Sequence, residues 1–192
     1  AASISDAATT ADSTSADASE EGSDAQTVYP VTVTDQAGRE VTIEKEPESI
    51  VSGYYISTSL LLALGLKDKV TGIEAKASKR PIYKLAAPEF LELPNVGTAK
   101  EFDLETCASL SPELVILPMK LKDAAQSLSE LDIPVLLVNP ESEAQLEQMI
   151  ELVSTATNTK ENADALLSYI DEKKEMLEKD LSGVDAKSVY LA

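Results

Sequence analysis

Cationic and aromatic side chains recur in the loops that follow the predicted strands of this chain. Seven of the sixteen lysines and arginines lie there, although the chain carries 34 aspartates and glutamates and a net charge of −18. These cations are Lys76, Lys79, Arg80, Lys84, Lys100, Lys120 and Lys122. Cations grouped on a negative body create a local field for an anion, and tyrosine rings add flat amphipathic faces. The pattern favours binding of a bulky anion, and the alternative is that these loops are simply polar and rich in lysine.

We expect such a ligand beyond the carboxyl ends of the strands, where open α/β sheets bind their ligands. The candidate ligand-binding residues all follow a predicted strand or lie in a turn near one. They are Tyr54, Tyr55, Lys76, Arg80, Tyr83, Thr98, Lys100, Met119 and Lys120. No resident metal and no cofactor is predicted, since the chain has no histidine, the commonest nitrogen ligand of zinc.

The elements that position these residues alternate along the chain. The predicted strands are rich in Val, Ile and Leu and are bounded by Gly or Pro: 49–53, 69–74, 113–117 and 134–138. The predicted helices are 57–64, 103–110, 121–131, 142–156 and 160–182. Continuous apolar strands that alternate with amphipathic helices are typical of a parallel sheet covered on both faces. The fold class is therefore α/β, a three-layer Rossmann-like lobe with a mostly parallel sheet and a long C-terminal helix.

A β-hairpin is predicted before this sheet. Residues 31–34 and 39–43 alternate between apolar and polar side chains and flank a short Asp/Gly loop. Three local signals mark helix ends. Asp103 is a candidate N-cap, Ser142 forms a capping-box pattern with the glutamine three residues on, and Gly65 is a candidate C-terminal cap.

The sequence offers little for catalysis. No GxGxxG or phosphate-binding loop follows a strand, no GxSxG elbow is present, and no histidine can serve as a general base. Cys107 falls within the apolar pattern of the 103–110 helix, which indicates a small buried hydrophobe rather than a reactive thiol. Nucleic acid is not expected as a partner, because such binding depends on cations that neutralise phosphates. We therefore expect a protein that is not an enzyme.

Residues 1–27 consist mainly of Ala, Ser, Thr, Asp and Glu, and the first thirty residues carry six acids and no base. Such a segment has too few apolar groups to offset the entropy of ordering, so it is predicted to be disordered. It is either a spacer, like the one that follows the lipid-modified cysteine of bacterial lipoproteins, or a plain disordered terminus. No run approaches the roughly 20 apolar residues that span a membrane.

Two stretches carry a resemblance to a known family. Residues 50–66 form a predicted buried strand, a polar-aromatic turn and a short helix that glycine closes. Residues 103–118 open a helix with Glu105 two residues after its predicted cap, and continue through Pro112 into an acidic and then apolar run. This pairing resembles the first lobe of the class III, or helical-backbone, substrate-binding proteins of ABC importers. The match covers roughly Val31 to the C-terminus.

The resemblance implies an extracytoplasmic solute-binding protein, either a cell-surface lipoprotein with an N-terminal lipid anchor or a periplasmic protein. Such a protein is expected to be a monomer that captures a metal chelate, namely an iron-siderophore, haem or cobalamin, and delivers it to the permease subunits. The absence of histidine favours a chelated or organic ligand over bare zinc or manganese. Glu105 is implied to face outward and to pair with arginines of the permease. Ser59 stands where many members of the family carry a glutamate, so the identity of the ligand stays open.

The resemblance also implies how the chain is organised. A tether over 1–27 would precede an N-terminal lobe over 28–158, followed by an interlobe backbone helix over 159–183. Residues 187–192 would then be the first strand of a second lobe. The competing hypothesis is a non-catalytic α/β interaction or scaffold module on a cell-surface tether.

Overall fold

The computed structural model describes residues 26–184. The strands of this part are β1 (Val31–Thr34), β2 (Glu40–Ile43), β3 (Ile50–Ser52), β4 (Val70–Ile73), β5 (Leu114–Pro118) and β6 (Val135–Val138). Its α-helices are α1 (Tyr55–Ala63), α2 (Pro81–Ala86), α3 (Leu104–Ser109), α4 (Lys122–Ser129), α5 (Glu143–Thr157) and α6 (Lys160–Leu181). Short 3₁₀ turns lie at Lys67–Lys69, Ala77–Lys79, Pro88–Glu92 and Met119–Leu121.

The predicted α/β fold class is confirmed, with the hairpin, the parallel sheet and the long helix in place. The prediction missed α2, a six-residue helix that begins at Pro81 and is too short to show a helical repeat. The tether over 1–27 lies outside the described residues except for its last two, and the strand over 187–192 lies outside them entirely. Thr27 is held at the end of α5, where its amide donates to Asn158 Oδ1 at 2.8 Å.

Four parallel strands form the central sheet in the order β4-β3-β5-β6. Ile50 at the start of β3 pairs with Val70 on one side and Leu114 on the other. Successive residues point to opposite faces of the sheet. Ile116 therefore joins the core on one face, whereas Leu117 joins the core on the other.

Two hydrophobic cores sandwich the sheet and produce three layers. One core contains the buried sides of α1, α2, α5 and the start of α6, together with the hairpin. The other contains the buried sides of α3 and α4. Every residue of β3, β5 and β6 is buried, which explains why these strands are almost continuously apolar in the sequence.

The predicted caps are confirmed. Asp103 accepts a hydrogen bond from the Thr106 amide at 2.9 Å, and Ser142 accepts one from the Gln145 amide at 3.3 Å. Gly65 has a φ of +76°, in the left-handed region that glycine adopts without strain. This conformation ends α1 in the usual glycine-terminated way.

The hairpin loop covers the outer edge of β6. Asp35 accepts hydrogen bonds from the amides of Ala37 and Arg39, both at 2.9 Å, and from the Leu137 amide at 3.1 Å. The guanidinium of Arg39 donates to the same carboxylate at 2.7 and 2.9 Å, and also to the Val135 carbonyl at 2.8 Å. A buried acid and its cation therefore satisfy backbone groups that a neighbouring strand would otherwise pair.

Gln36 continues this contact toward the carboxyl end of β6. Its backbone amide donates to the Leu137 carbonyl at 3.1 Å, and its side-chain oxygen accepts from the Asn139 amide at 2.7 Å. Its side-chain nitrogen donates to the Gln145 carbonyl of α5 at 2.8 Å. The loop thus blocks the edge of the sheet against pairing with another strand.

Helix α6 packs on the core over its first half only. Ala163 is buried and Ile170 packs against the core, whereas Leu177 and Leu181, further along the helix, are exposed. Lys174 pairs with two glutamates of α5 and fixes the middle of the helix. The apolar side chains of α6 therefore extend beyond the part of the helix that covers the core.

Candidate functional site

The carboxyl ends of β3 and β5 lie side by side where the strand order reverses. The chain moves from β3 to β4 on one side and later crosses to β5 on the other side of β3. In open α/β sheets, the loops diverge at this switch point and leave a crevice for a ligand. At this switch point Tyr54 follows β3 and Met119 follows β5.

Gly53 makes the tight turn between β3 and α1 possible. A Cβ at this position would lie 2.6 Å from Leu117 Cδ2 and 3.3 Å from the Phe102 ring. Its amide donates to the Ile116 carbonyl at 2.9 Å, which keeps the turn against β5. The absence of a side chain therefore allows the backbone to pass close to β5 and start α1 at the sheet edge.

Buried hydroxyl groups stabilise this turn through hydrogen bonds. Ser52 and Ser57 lie 2.7 Å apart through their Oγ atoms, and Ser57 donates to the Tyr54 carbonyl at 2.8 Å. Thr58 Oγ1 lies 2.8 Å from Ser52 Oγ and donates to Glu74 Oε2 at 2.7 Å. The network links the end of β3 and the first turn of α1 to the residue that follows β4.

Glu74 is the carboxylate at the centre of this network and is only 5% exposed. Besides Thr58, it accepts the hydroxyl of Tyr83 at 2.8 Å through Oε1. Burial raises the pKa of Glu74 above its usual range, while its hydrogen bonds and the charge of Arg80 oppose that rise. The pKa of Tyr83 is also raised, by burial and then by the nearby Glu74 carboxylate.

Arg80 lies over the ring of Tyr55, with the guanidinium carbon 4.0 Å from the ring centroid. The rings of Tyr54 and Tyr55 meet edge to face, with centroids 5.2 Å apart. Tyr55 is 40% exposed. A cation at this distance from an aromatic face is attracted by the ring quadrupole, so the structure places a half-buried cation and two aromatic rings at one edge of the sheet.

Tyr83, in contrast, does not lie on this surface. The sequence predicts it as a ligand-binding residue, but its side chain is fully buried and packs edge to face on Phe90. Its hydroxyl points at Glu74 and lies 3.3 Å from the Tyr55 carbonyl. The structure therefore places Tyr83 beneath the Tyr55–Arg80 stack rather than within reach of a ligand.

Three further predicted residues lie near the carboxyl end of β4. Lys76 is exposed and adopts the left-handed conformation with a φ of 70°. The loop that carries Thr98 and Lys100 is joined to this end of β4, because the Ala75 amide donates to the Gly97 carbonyl at 2.7 Å. Thr98 is half-buried and Lys100 is exposed.

Met119 and Lys120 follow β5 directly and begin the 3₁₀ turn at Met119–Leu121. Met119 is half-buried and Lys120 is exposed. On the same edge, burial, the neighbouring Tyr55 and the carboxylate of Glu141 raise the pKa of Tyr54. An acidic group after β6 therefore acts on the aromatic turn, a contribution that was not predicted from the sequence.

Glu105 lies in the first turn of α3 and is exposed. Asp103, the N-cap, binds both the amide and the hydroxyl of Thr106, at 2.9 and 2.7 Å. These hydrogen bonds lower the pKa of Asp103. The capping function therefore belongs to Asp103, and Glu105 is left facing solvent.

A separate open groove of about 350 Å³ lies between the hairpin and α5. Its lining residues are Val33, Thr34, Asp35, Gln36, Gln148, Glu151, Leu152 and Thr155. This groove contains none of the predicted ligand-binding residues. Apart from the buried Tyr83, the predicted residues lie in the loops at the carboxyl edge of the sheet.

Glu74 and the hydroxyl groups of Ser52, Ser57 and Thr58 were not among the candidate residues predicted from the sequence. The available signal was the position of Glu74 directly after an apolar strand. Within residues 26–184, no three His, Cys, Asp or Glu side chains cluster as a metal site would require. No helix in that range is both long and apolar enough to cross a membrane. Cys107 is buried, and burial raises its pKa to about 12.

This chain is similar to known proteins both in sequence and in fold. The chain is 32% identical over 176 residues to the uncharacterized ABC transporter substrate-binding lipoprotein YvrC of Bacillus subtilis (strain 168), which covers 85% of this chain and 52% of the relative. A periplasmic solute binding protein from Veillonella parvula DSM 2008 has a TM-score of 0.73 at 26% identity, over 82% of this chain and 50% of that one.

The molybdate-binding protein MolA of Haemophilus influenzae also has a TM-score of 0.73, at 21% identity over 81% of this chain and 55% of its own. At that identity the likeness concerns the fold alone. The chain spans about half the length of these relatives. The family model described as periplasmic binding protein matches residues 50–192. Because this match takes in most of the chain, the chain belongs to the periplasmic binding protein family.

Proposed function

We propose that this chain forms the first lobe of an extracytoplasmic solute-binding protein, which captures a metal chelate and delivers it to an ABC importer. The observation that carries the proposal is the stack of Arg80 on Tyr55 beside the switch point of the sheet. A guanidinium can donate two parallel hydrogen bonds to a carboxylate-type group. The exposed part of the Tyr55 ring offers an apolar face next to that charge.

The spread of the polar groups supports a bulky ligand over a small inorganic anion. The exposed Lys76 and Lys100 lie in the chain between β4 and β5, and the exposed Lys120 follows β5. A chelate with several oxygen groups on a large frame can contact such separated cations. Iron-siderophores, haem and cobalamin are the proposed candidates.

The proposed contact residues retain most of the set predicted from sequence. They are Tyr54, Tyr55, Lys76, Arg80, Thr98, Lys100, Met119 and Lys120. Tyr83 is left out because it is fully buried. Binding sites normally enclose most of the ligand surface, and the carboxyl edge of this sheet is open. We therefore propose that a second wall comes from a segment that corresponds to the other half of the relatives, with α6 as the link.

Glu105 is proposed to dock on the permease. It is exposed in the first turn of α3, and a carboxylate there is already favoured by the helix dipole. Asp103 supplies the cap, so the structure of α3 does not depend on Glu105. The chain is further proposed to act as a monomer outside the cytoplasmic membrane, held there by a lipid anchor. Catalysis has no part in this proposal.

The test is isothermal titration of the whole gene product with ferric enterobactin, ferrichrome, haemin, cyanocobalamin and sodium molybdate. We expect one of the four chelates to bind. Tyr55→Ala and Arg80→Ala should each weaken it at least tenfold, or about 1.4 kcal/mol. Lys84→Ala, a change to an exposed cation of α2 outside the proposed contacts, is the matched control.

Three outcomes would contradict the proposal. If molybdate binds and none of the chelates does, the ligand is a small oxyanion rather than a metal chelate. Equal affinity of the Arg80→Ala, Tyr55→Ala and Lys84→Ala variants would remove the stack from the site. Failure of every probe to bind would favour the competing hypothesis of an interaction module.

A further inference from the structure

We propose that Glu74 is a positioning residue, whose carboxylate holds the Arg80–Tyr55 stack in place through the hydroxyls of Tyr83 and Thr58. The role of this arrangement in ligand binding rests on the proposed function, since the Arg80–Tyr55 stack is the proposed main contact with the ligand. The hydrogen-bond geometry around Glu74 does not depend on the proposed function. Both oxygens of Glu74 are occupied from different helices, at 2.8 Å by Tyr83 of α2 and at 2.7 Å by Thr58 of α1.

The two partners of Glu74 lead to the two members of the stack. Tyr83 lies three residues after Arg80, and its amide donates to the Arg80 carbonyl at 3.2 Å. Thr58 lies three residues after Tyr55 on α1, and its amide donates to the Tyr54 carbonyl at 2.9 Å. The carboxylate therefore connects the start of α1 to the start of α2. These starts carry the aromatic ring and the cation, respectively.

Glu74 is buried in a position that disfavours an ionised carboxylate. An ionised carboxylate that is 5% exposed pays a desolvation cost unless its hydrogen bonds are complete. Tyr83 is the titratable side chain that bonds to Glu74, and Arg80 is the charged group that acts on it at longer range. An apolar side chain could fill this volume but could bond to neither hydroxyl, and an amide could accept only one of the two hydroxyl protons and has no charge to attract Arg80.

The protonation of Glu74 should be visible at the stack. The ionised carboxylate accepts from both hydroxyls, whereas the neutral form must donate to one of them. If Glu74 donates to Tyr83, the tyrosine proton turns toward the Tyr55 carbonyl, which lies 3.3 Å away. The link between the helices therefore changes when Glu74 takes up a proton.

Nuclear magnetic resonance of the 192-residue chain tests this directly, because a guanidinium above a ring gives the Arg80 δ-protons an upfield ring-current shift. In the wild type, we expect that shift to change with pH along the titration of Glu74. Glu74→Gln, which can still bond to both hydroxyls, should keep most of the shift and lose its pH dependence. Tyr83→Phe, which keeps the core volume, should at least halve the shift. Glu92→Gln, at an exposed site nearby, should behave as the wild type.

A full upfield shift in Tyr83→Phe, or a wild-type pH profile in Glu74→Gln, would overturn the positioning role. Amide spectra establish that each variant is folded. If Tyr83→Phe fails to fold, Thr58→Val tests the other hydrogen bond to Glu74 in the same way. Ferric enterobactin affinity is a separate readout. If the wild type binds neither this nor the other probes, the proposed function fails, but the Arg80 shift still decides the role of Glu74.

Discussion

Asp35→Asn should destabilise the fold by removing the charge that fixes the hairpin loop on β6. The substitution preserves shape, and Asn can still accept from the amides of Ala37 and Arg39 through one oxygen. Its NH₂ group, however, replaces the oxygen that now faces the Arg39 guanidinium and the Leu137 amide. Donors would then face donors, in a place where the Asp35 side chain has no exposed surface.

The magnitude follows from the burial of the two partners. Removing one member of a buried ion pair costs about 3–5 kcal/mol. Because the Arg39 side chain is 29% exposed, water can partly replace the lost contact, and we expect the lower end, about 3 kcal/mol. For a domain of this size, about 2–4 °C per kcal/mol gives a fall in Tm of roughly 6–12 °C.

Urea unfolding followed by circular dichroism measures this change, with an unchanged m-value as evidence that the same surface is exposed. Glu40→Gln is the matched control, because it makes the same chemical change at an exposed position of β2. It should stay within about 0.5 kcal/mol of the wild type. An Asp35→Asn variant within about 1 kcal/mol of the wild type would refute the claim that this ion pair holds the loop.

Three further predictions concern the site. Gly53→Ala should cost about 1–3 kcal/mol by urea unfolding, because its Cβ would meet the fully buried Leu117 side chain at 2.6 Å; an unchanged midpoint would contradict the close approach. Burial raises the folded-state pKa of Glu74, so the folded chain binds that proton more tightly than the unfolded chain does. Stability should therefore fall as pH rises from about 4.5 through the folded pKa, and a Glu74→Gln variant with the same fall would exclude Glu74 as its source. Glu105→Ala should change stability by no more than about 0.3–1 kcal/mol and leave chelate affinity intact while cellular uptake drops, and Glu105→Arg should lower uptake further; normal uptake by the Arg variant would exclude docking through this residue.

Much of the fold could be predicted because its signals are local. The strands are buried on both faces and therefore read as short apolar runs between Gly and Pro. Asp103 and Ser142 cap helices through amides three residues away, so their roles depend on sequence spacing alone. The turn after β3 was predicted between a strand that ends at residue 53 and a helix that begins at residue 57, whereas the strand ends at Ser52 and α1 begins at Tyr55.

The remainder depends on contacts between residues that are distant in the chain. Tyrosine has an apolar ring and a polar tip, so its position after a strand did not reveal that Tyr83 is buried while Tyr55 is exposed. Glu74 is one acid among 34, and only the approach of α1 and α2 gives its carboxylate two partners. Asp35 likewise gains its role from β6, about one hundred residues along the chain.

Helix α6 has a mechanical consequence. At about 1.5 Å per residue, its 22 residues extend for roughly 33 Å, and only the first half is held by the core. A continuous hydrogen-bonded helix resists stretching far more than it resists tilting. Because the first half of α6 is packed on the core, anything that packs on the exposed Leu177 and Leu181 is held at a nearly constant distance from that half, and the movement left to it is a tilt of the second half of the helix.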